Sequence, residues 1–218
     1  MQPEPNEPSP EEILRRARAS ADIVVRAINE LQKTKKVYLV GIAGIPGSGK
    51  STLCHELKLR YPAAVIVPMD GYHIPRCELD AEGMRRRGAP HTFNHLAFLN
   101  DIKQLRINGA GSFPAFDHAE KDPRADAIQV TRDTPLVFVE GIYVLMSSWQ
   151  VESLFDLRVF VDCDLDIAVE RVARRHVACG ITATLEEGLQ QANANDRVNA
   201  QGILDDGCRT RAEVLLPA

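Results

Sequence analysis

The fold of this chain is decided by eight consecutive residues, Gly44-Ile45-Pro46-Gly47-Ser48-Gly49-Lys50-Ser51, with Thr52 next in sequence. They fit the pattern GxxxxGK[ST] in full. In this pattern glycines let successive main-chain N–H groups point at phosphate oxygens, and the N-terminus of the following helix adds positive potential. The apolar, β-branched run at 37–43 predicts a buried strand before the loop, and an amphipathic helix is predicted from about Lys50. We therefore expect a strand, a phosphate-binding loop and a helix in succession.

The loop predicts a nucleoside triphosphate as ligand, together with Mg²⁺. Residues 44–52 would hold the phosphates, Lys50 would reach the β- and γ-phosphates, and the Ser51 hydroxyl would bind the metal. ATPases, GTPases and kinases share such a loop. A GTPase would need a base-reading NKxD-like element after a late strand, and the sequence has none, while its DxxG at 80–83 follows no strand. Whether the chain is an ATPase or a kinase must therefore be inferred from its acidic residues.

Strands and helices alternate along the rest of the chain. Further strands are predicted from apolar runs at 64–69, 136–139, 158–161 and, more weakly, 212–216. Helices are predicted near 50–60, 94–107, 164–179 and 184–200. This alternation predicts an α/β domain with the P-loop NTPase fold, a doubly wound, mostly parallel sheet of about five strands with helices on both faces and a small lid.

We expect residues 10–218 to form one domain behind a disordered tail at 1–9. A helix is predicted at 10–33 because apolar residues recur there at steps of three and four. Residues 71–93 and 109–133 are rich in Gly, Pro and charge and lack clear periodicity. They predict two acceptor-binding loops over the carboxyl edge of the sheet, and a lid is expected at about 171–185.

Two acidic residues follow predicted strands. Asp70 comes directly after the strand at 64–69, and Glu140 ends the run Leu136-Val137-Phe138-Val139, which is the Walker-B arrangement. In a parallel sheet both would face the transferred phosphate. Asp70 could accept the proton of an acceptor hydroxyl or help to hold Mg²⁺, and Glu140 would act on the metal. The alternatives are a turn cap at Asp70 and a surface charge at Glu140.

Basic and aromatic residues complete the predicted site. Arg171, Arg174 and Arg175 share one face of a predicted helix, where cations would stabilise charge on the transferred phosphoryl group. Their alternative is a solvated face favoured by the helix dipole. Arg87 would contact an anionic acceptor or be solvated with its basic neighbours, and Tyr72 and Phe93 could stack on a planar acceptor or pack locally. The loop histidines that could donate or accept hydrogen bonds are His73, His91, His95 and His118.

Size and charge limit the class of protein. The 218 residues are 44% hydrophobic and carry a formal net charge of −4, which predicts a packed core and argues against a nucleic-acid binder. Five cysteines without a CxxC pair favour a reducing compartment over a disulfide framework or a zinc site. The acidic, proline-rich start is unlike a targeting peptide, and no apolar run approaches the ~20 residues that cross a bilayer. We expect a soluble, cytoplasmic protein without a membrane partner.

An ordered set of motifs extends the comparison beyond the phosphate loop. These are VGIAGIPGSGKST at 40–52, PMDGYH at 68–73, RRGAPHTFN at 86–94, PAFDHAEKDP at 114–123, VEGIYVL at 139–145, RHVACGI at 175–181 and NDRVNA at 195–200. In these motifs the chain resembles the phosphoribulokinase/uridine kinase family of P-loop kinases, from about residue 12 onward. The likeness is greatest to fungal uridine-kinase-like members and to bacterial proteins described as fructose-transport or pantothenate-kinase-like.

The resemblance implies roles for individual residues. Asp70 matches the acid proposed as catalytic base, Glu140 the metal-associated acid, and Arg171 and Arg175 the basic lid helix. The acceptor-binding loops would contain His91, Phe93, Asn94, Phe116, Asp117 and His118. The segment with Asn195, Asp196 and Asn199 would lie near the adenine.

The chain also departs from the family pattern. Asp70-Gly71-Tyr72-His73 stands where uridine kinases usually carry DSFY, Ile142 stands where relatives often have Asn, and Gln191 where they often have Arg. These departures weaken the case for uridine as acceptor and do not affect the phosphate chemistry.

The sequence thus predicts a kinase that uses ATP and Mg²⁺ and phosphorylates a hydroxyl of a nucleoside, sugar or hydroxy acid. A homodimer is a reasonable assembly. The alternatives are a P-loop NTPase that acts as a switch or assembly factor, and a binding module whose loop serves only regulation. An NTPase would consume ATP without yielding a phosphorylated metabolite.

Overall fold

The computed structural model describes residues 9–34, 38–117 and 119–218. The expected tail at 1–9, apart from Ser9, lies outside the described residues, and so does His118. The helices are α1 (Pro10–Gln32), α2 (Lys50–Arg60), α3 (Ala81–Arg85), α4 (His95–Asn108), α5 (Leu165–Ala178), α6 (Leu185–Ala194) and α7 (Asp196–Asp205). The strands are β1 (Leu39–Gly44), β2 (Val65–Pro68), β3 (Gly111–Asp117), β4 (Asp122–Val130), β5 (Val137–Glu140), β6 (Leu157–Asp162) and β7 (Val214–Pro217).

A five-stranded sheet with the order β2-β5-β1-β6-β7 forms the centre of the molecule, and its strands all pair in parallel. Alternate residues of β1 enter two different cores. Val40 and Ile42 pack with apolar residues of α1 and α2, whereas Leu39 and Ala43 pack with those of α4 and α7. Helices therefore cover both faces, and the predicted α/β fold with its parallel sheet is confirmed.

The sheet strands begin and end within two residues of the predicted bounds. The prediction of a loop at 109–133 was wrong, because β3 and β4 form an antiparallel hairpin there. Most of β4 is exposed, and the register shifts between Phe113 and Ala115, so the hairpin carries no clean apolar alternation that the sequence could reveal. The loop predicted at 71–93 contains short turns and α3.

The single helix predicted at 184–200 was also wrong, because the chain breaks between α6 and α7 at Asn195. The backbone of Asn195 leaves the helical region (φ −123°, ψ −61°), and its side-chain amide donates to the main-chain oxygen of Arg87 at 2.8 Å. A tertiary contact thus decides the break, and helical periodicity does not register such a contact. No helix in the described part of the chain combines the length and apolarity that a membrane span requires.

A buried carboxylate fixes the start of the central strand. Asp156, which is 6% exposed, accepts hydrogen bonds from the main-chain N–H groups of Tyr38 (2.8 Å) and Leu39 (3.0 Å). It also accepts two hydrogen bonds from the guanidinium of Arg106 on α4, at 2.7 and 2.6 Å. Burial alone would raise the pKa of Asp156, but these donors outweigh it and lower that pKa. The carboxylate therefore ties β1 to α4 in the ionised state.

We expect Asp156→Ala to lower the free energy of unfolding by about 3 kcal/mol, because it leaves buried N–H groups and a guanidinium without their acceptor. Urea unfolding followed by circular dichroism measures this change. Asp133→Ala, at an exposed position in the turn before β5, is the matched control. Equal unfolding midpoints for the two variants would contradict the role given to Asp156.

Candidate active site

The loop at 44–51 is a tight turn between β1 and α2. The N–H of Ser48 donates to the main-chain oxygen of Ile45 at 3.1 Å, and the ammonium of Lys50 donates to the same oxygen at 3.1 Å. The first N–H groups of α2 have no partner within the helix and are free to bind an anion. The local geometry is that of a phosphate-binding loop.

Close packing against α5 holds this loop in place. Gly47 has φ +80°, and a Cβ there would lie 2.2 Å from the main-chain oxygen of Ala168. Only glycine suits this position, since both the backbone conformation and the contact exclude a side chain. Next to it, the hydroxyl of Ser48 is buried and has no hydrogen-bond partner among the described residues. A buried polar atom without a partner indicates that a ligand completes the loop.

Asp70 and Glu140 reach the same cavity as the loop. Asp70 lies in the turn that follows β2, and Glu140 is the last residue of β5. The cavity between them is lined by Lys50 and Ser51 from the loop side. A Cβ on Gly141 would lie 2.4 Å from the Cβ of Met69, so glycine allows the ends of the two strands to approach. The predicted convergence of loop, Asp70 and Glu140 is observed.

The three charges in the cavity influence one another. Burial raises the pKa of Glu140 to about 7, while the Lys50 ammonium opposes this rise and Asp70 adds to it. Burial lowers the pKa of Lys50, against the attraction of Glu140 and Asp70. Lys50 is buried and Asp70 and Glu140 are half-buried, so electrostatic interactions with a bound polyphosphate would be stronger than in bulk water.

The rest of the cavity lining comes from the loops and from α5 and α7. It contains His73, Phe93, Arg175, Asp196 and Asn199. The His73 Nδ1–H donates to the main-chain oxygen of Asp70 (2.9 Å), and its ring lies 3.9 Å from that of Phe93. Asn199, for which the resemblance implied a place near the adenine, lines the same cavity as Asp70.

Asp196, in the segment for which the resemblance implied a place near the adenine, also lines this cavity. Its carboxylate lies 3.9 Å from the Nε2 of His176. Burial raises the pKa of Asp196 and lowers the pKa of His176. The break at Asn195 turns Asp196 toward the cavity. The continuous helix predicted at 184–200 did not indicate that Asp196 faces this way.

Several candidates lie away from the cavity. Tyr72 is 4% exposed and donates its hydroxyl to Asp101 at 2.9 Å, and His91 is exposed on a turn. Arg87 donates to Asp122 at 2.7 Å and lies 5.7 Å from the Phe116 ring, which in turn lies 5.1 Å from His73.

Two further candidates outside the cavity are Asp117 and Arg171. The carboxylate of Asp117 accepts from the N–H groups of Ala119 and Glu120, at 2.8 and 3.1 Å, and so shapes the hairpin turn. Arg171 donates to the sulfur of Cys163 at 3.6 Å and lies in a groove beside Ser48, whereas Arg175 lies in the cavity. The predicted arginine face therefore divides between two spaces.

The oxygen donors of the cavity fit Mg²⁺. Ser51, Asp70 and Glu140 offer the hydroxyl and carboxylate oxygens that Mg²⁺ prefers. Among the described residues no three His, Cys, Asp or Glu side chains form a metal-binding group. These residues therefore fit a cation that is shared with a phosphate ligand rather than one enclosed by protein alone.

Comparison with known proteins assigns the family. The model of the phosphoribulokinase/uridine kinase family matches residues 39–183, which is more than half of the chain. The chain belongs to this family. Its P-loop kinase fold agrees with the phosphate loop, the parallel sheet and the cavity described above.

Individual members of the family show how far the likeness extends. "Putative uridine kinase" of Schizosaccharomyces pombe is 34% identical over 197 residues, which cover 83% of this chain and 84% of that protein. "ATP-dependent kinase YFH7" of Kluyveromyces lactis is 32% identical over 193 residues, 67% of this chain and 55% of that protein. The chain thus spans about half the length of the latter relative. A crystal structure described as a "putative fructose transport system kinase" from Silicibacter has a TM-score of 0.76 at 26% identity, over 93% of this chain and 98% of that one.

The raised pKa of Glu140 predicts a measurable pH effect. Its folded pKa of about 7 lies above the ordinary value of 4.5, so between these values the folded protein holds a proton that the unfolded chain has lost. Stability from this group is therefore lost as pH rises toward 7. Glu140→Gln carries no such proton, so its free energy of unfolding relative to the wild type should rise by on the order of 2 kcal/mol from about pH 5.5 to about pH 8.

Urea unfolding at the two pH values, without nucleotide or Mg²⁺, measures this difference. Glu120→Gln, at an exposed position in the hairpin turn, should follow the wild type at both values. A Glu140→Gln variant whose stability changes with pH just as the wild type's does would show that Glu140 titrates in its ordinary range.

Proposed function

We propose that the protein is an ATP- and Mg²⁺-dependent kinase that transfers the γ-phosphoryl group to a hydroxyl of a small metabolite. One observation carries the proposal: Asp70 shares a cavity with Lys50 and Ser51 of the phosphate loop. A carboxylate opposite the phosphates has the position that a base for an attacking hydroxyl requires. Membership of a kinase family supports the same reaction.

The residues of the cavity account for the steps of such a transfer. The N–H groups of the loop and the Lys50 ammonium would bind the β- and γ-phosphates. The acceptor hydroxyl would give its proton to the Asp70 carboxylate as its oxygen bonds to the γ-phosphorus. The bond from that phosphorus to the bridging oxygen would break, and its electron pair would stay on the β-phosphate. Mg²⁺ held by Ser51 and Glu140 would neutralise charge on the phosphate oxygens, and Arg175 would add a second cation.

The lining of the cavity suits a small acceptor with several hydroxyl groups. Asn199 and Asp196 offer donors and acceptors, while Phe93 and His73 offer an apolar face. Relatives are named for uridine and fructose, and both compounds are polyhydroxylated. We therefore propose a nucleoside, a sugar or a hydroxy acid as acceptor, and an uncharged one in preference, because Arg87 is paired with Asp122.

A metabolite screen with γ-labelled ATP and Mg²⁺ tests the reaction, and the expected result is label on a hydroxyl compound. Loss of ATP with all of the label in inorganic phosphate would instead favour an NTPase that acts as a switch. No loss of ATP with any compound would contradict the kinase.

Asp70→Asn tests the base. We expect turnover to fall by about 10² to 10⁴ and the affinity for ATP to change little, because Asn cannot take the proton yet keeps the shape of the side chain. Steady-state kinetics with the acceptor found in the screen separates the two parameters. Asp133→Asn is the exposed control, and near-normal turnover of Asp70→Asn would remove Asp70 as base.

A further inference from the structure

A second space borders the phosphate loop on the side away from the acceptor cavity. We name it the α1 groove, because α1 forms one of its walls, with the start of α2 and the end of β6 opposite. From the loop side it is lined by Ser48, Gly49 and Thr52, whereas the cavity is lined by Lys50 and Ser51. The loop therefore separates two spaces, and Asp70 and Glu140 belong to the cavity.

A bound triphosphate would connect these two spaces. If its γ end meets Lys50 and Asp70 in the cavity, its chain runs along the loop toward the first turn of α2. The nucleoside end then leaves the loop beside Thr52, which is where the α1 groove begins. The direction in which the triphosphate would run along the loop thus follows from the side of the loop on which Asp70 and Glu140 lie.

The lining of the α1 groove suits a nucleobase. Ile13 and Ala17 of α1 and Leu53 of α2 provide apolar contact. Arg171 adds a planar guanidinium, which stacks well on aromatic rings. The buried hydroxyl of Ser48, which has no partner among the described residues, lines the same groove. Apolar faces with a few polar groups are typical of sites for flat heterocycles.

The wall made by α1 is held rigidly. Ala21, Val24 and Ile28 are completely buried against the sheet. Arg60 of α2 donates to Asp22 at 2.9 Å and to the main-chain oxygen of Arg18 at 3.2 Å.

These contacts fix the middle of α1, at 18–28, next to the turns that line the groove. Ile13, Ala17 and Ser20 are spaced i, i+4 and i+7, so they share the face that lines the groove. The helix lies outside the stretch at 39–183 that the family model matches.

We propose that α1 forms one wall of the site for the nucleoside part of the triphosphate, with Ile13 and Ala17 on one side of the base and Arg171 on the other. This inference rests on the proposed function, because it takes the triphosphate to be bound by the loop. It assigns a ligand-binding role to α1, which contributes no residue to the phosphate loop or to the acceptor cavity.

Calorimetric titration with ATP and with inorganic tripolyphosphate tests the inference. Ala17→Trp would fill the α1 groove with an indole and leave the loop intact. We expect it to weaken ATP binding at least about tenfold and tripolyphosphate binding less than about twofold. The matched control is Ala19→Trp, at an exposed position of the same helix, which should bind both ligands as the wild type does. Ile13→Asp, whose side chain is already 42% exposed, gives the same readout if the Trp variant folds poorly.

Each outcome decides. Wild-type ATP affinity in the folded Ala17→Trp and Ile13→Asp variants would overturn this inference and leave the proposed kinase standing. Equal losses for ATP and tripolyphosphate would also overturn it, because the substitutions would then act on the phosphate loop. A wild-type protein that binds neither ligand would overturn the proposed function and this inference with it.

Discussion

The candidate site depends on the parallel pairing of β1 with β5 and of β5 with β2. In this register Ile42 pairs with Glu140 and Pro68 pairs with Glu140 from the other side, so the three strands end at one edge of the sheet. The phosphate loop begins at the last residue of β1, Asp70 lies two residues beyond the end of β2, and Glu140 is the last residue of β5. An antiparallel partner would carry its carboxyl end to the opposite edge. The position of the candidate site is thus a consequence of the parallel direction of β1, β2 and β5.

Burial then determines how the site behaves electrostatically. Lys50 is buried and Glu140 is half-buried, and burial pushes each toward its neutral form. An incoming phosphate chain would favour the charged form of Lys50, and a cation would favour the charged form of Glu140. The site is therefore suited to a ligand that brings both charges together, as a metal-bound triphosphate does. Arg175 adds positive potential from α5.

Most of the fold could be predicted from the sequence, and so could the centre of the site. The five sheet strands are short apolar runs, of which β1, β5 and β6 are mostly buried, and the GxxxxGKS pattern places the loop to the residue. Asp70 and Glu140 could be predicted because each follows such a run directly. These features could be predicted because a few consecutive residues encode each of them.

What the sequence did not reveal depends on tertiary contacts. In the β3–β4 hairpin, β3 is mostly half-buried and β4 mostly exposed, so no clean apolar alternation marks these strands in the sequence. The break at Asn195 is stabilised by a hydrogen bond to Arg87, far away in sequence. Tyr72 was a candidate for stacking, yet its ring is buried against Phe98 and its hydroxyl binds Asp101. Arg171 and Arg175 share a helix face, but the phosphate loop passes between the spaces that they line.

A crystal structure of the protein with Mg²⁺ and a non-hydrolysable ATP analogue is the most direct test of the central claim. We expect the β- and γ-phosphates to lie on the N–H groups at 47–51, with the γ-phosphate turned toward Asp70 and the metal on the Ser51 hydroxyl. A triphosphate bound elsewhere, or bound in the loop with its γ-phosphate turned away from Asp70, would contradict the account.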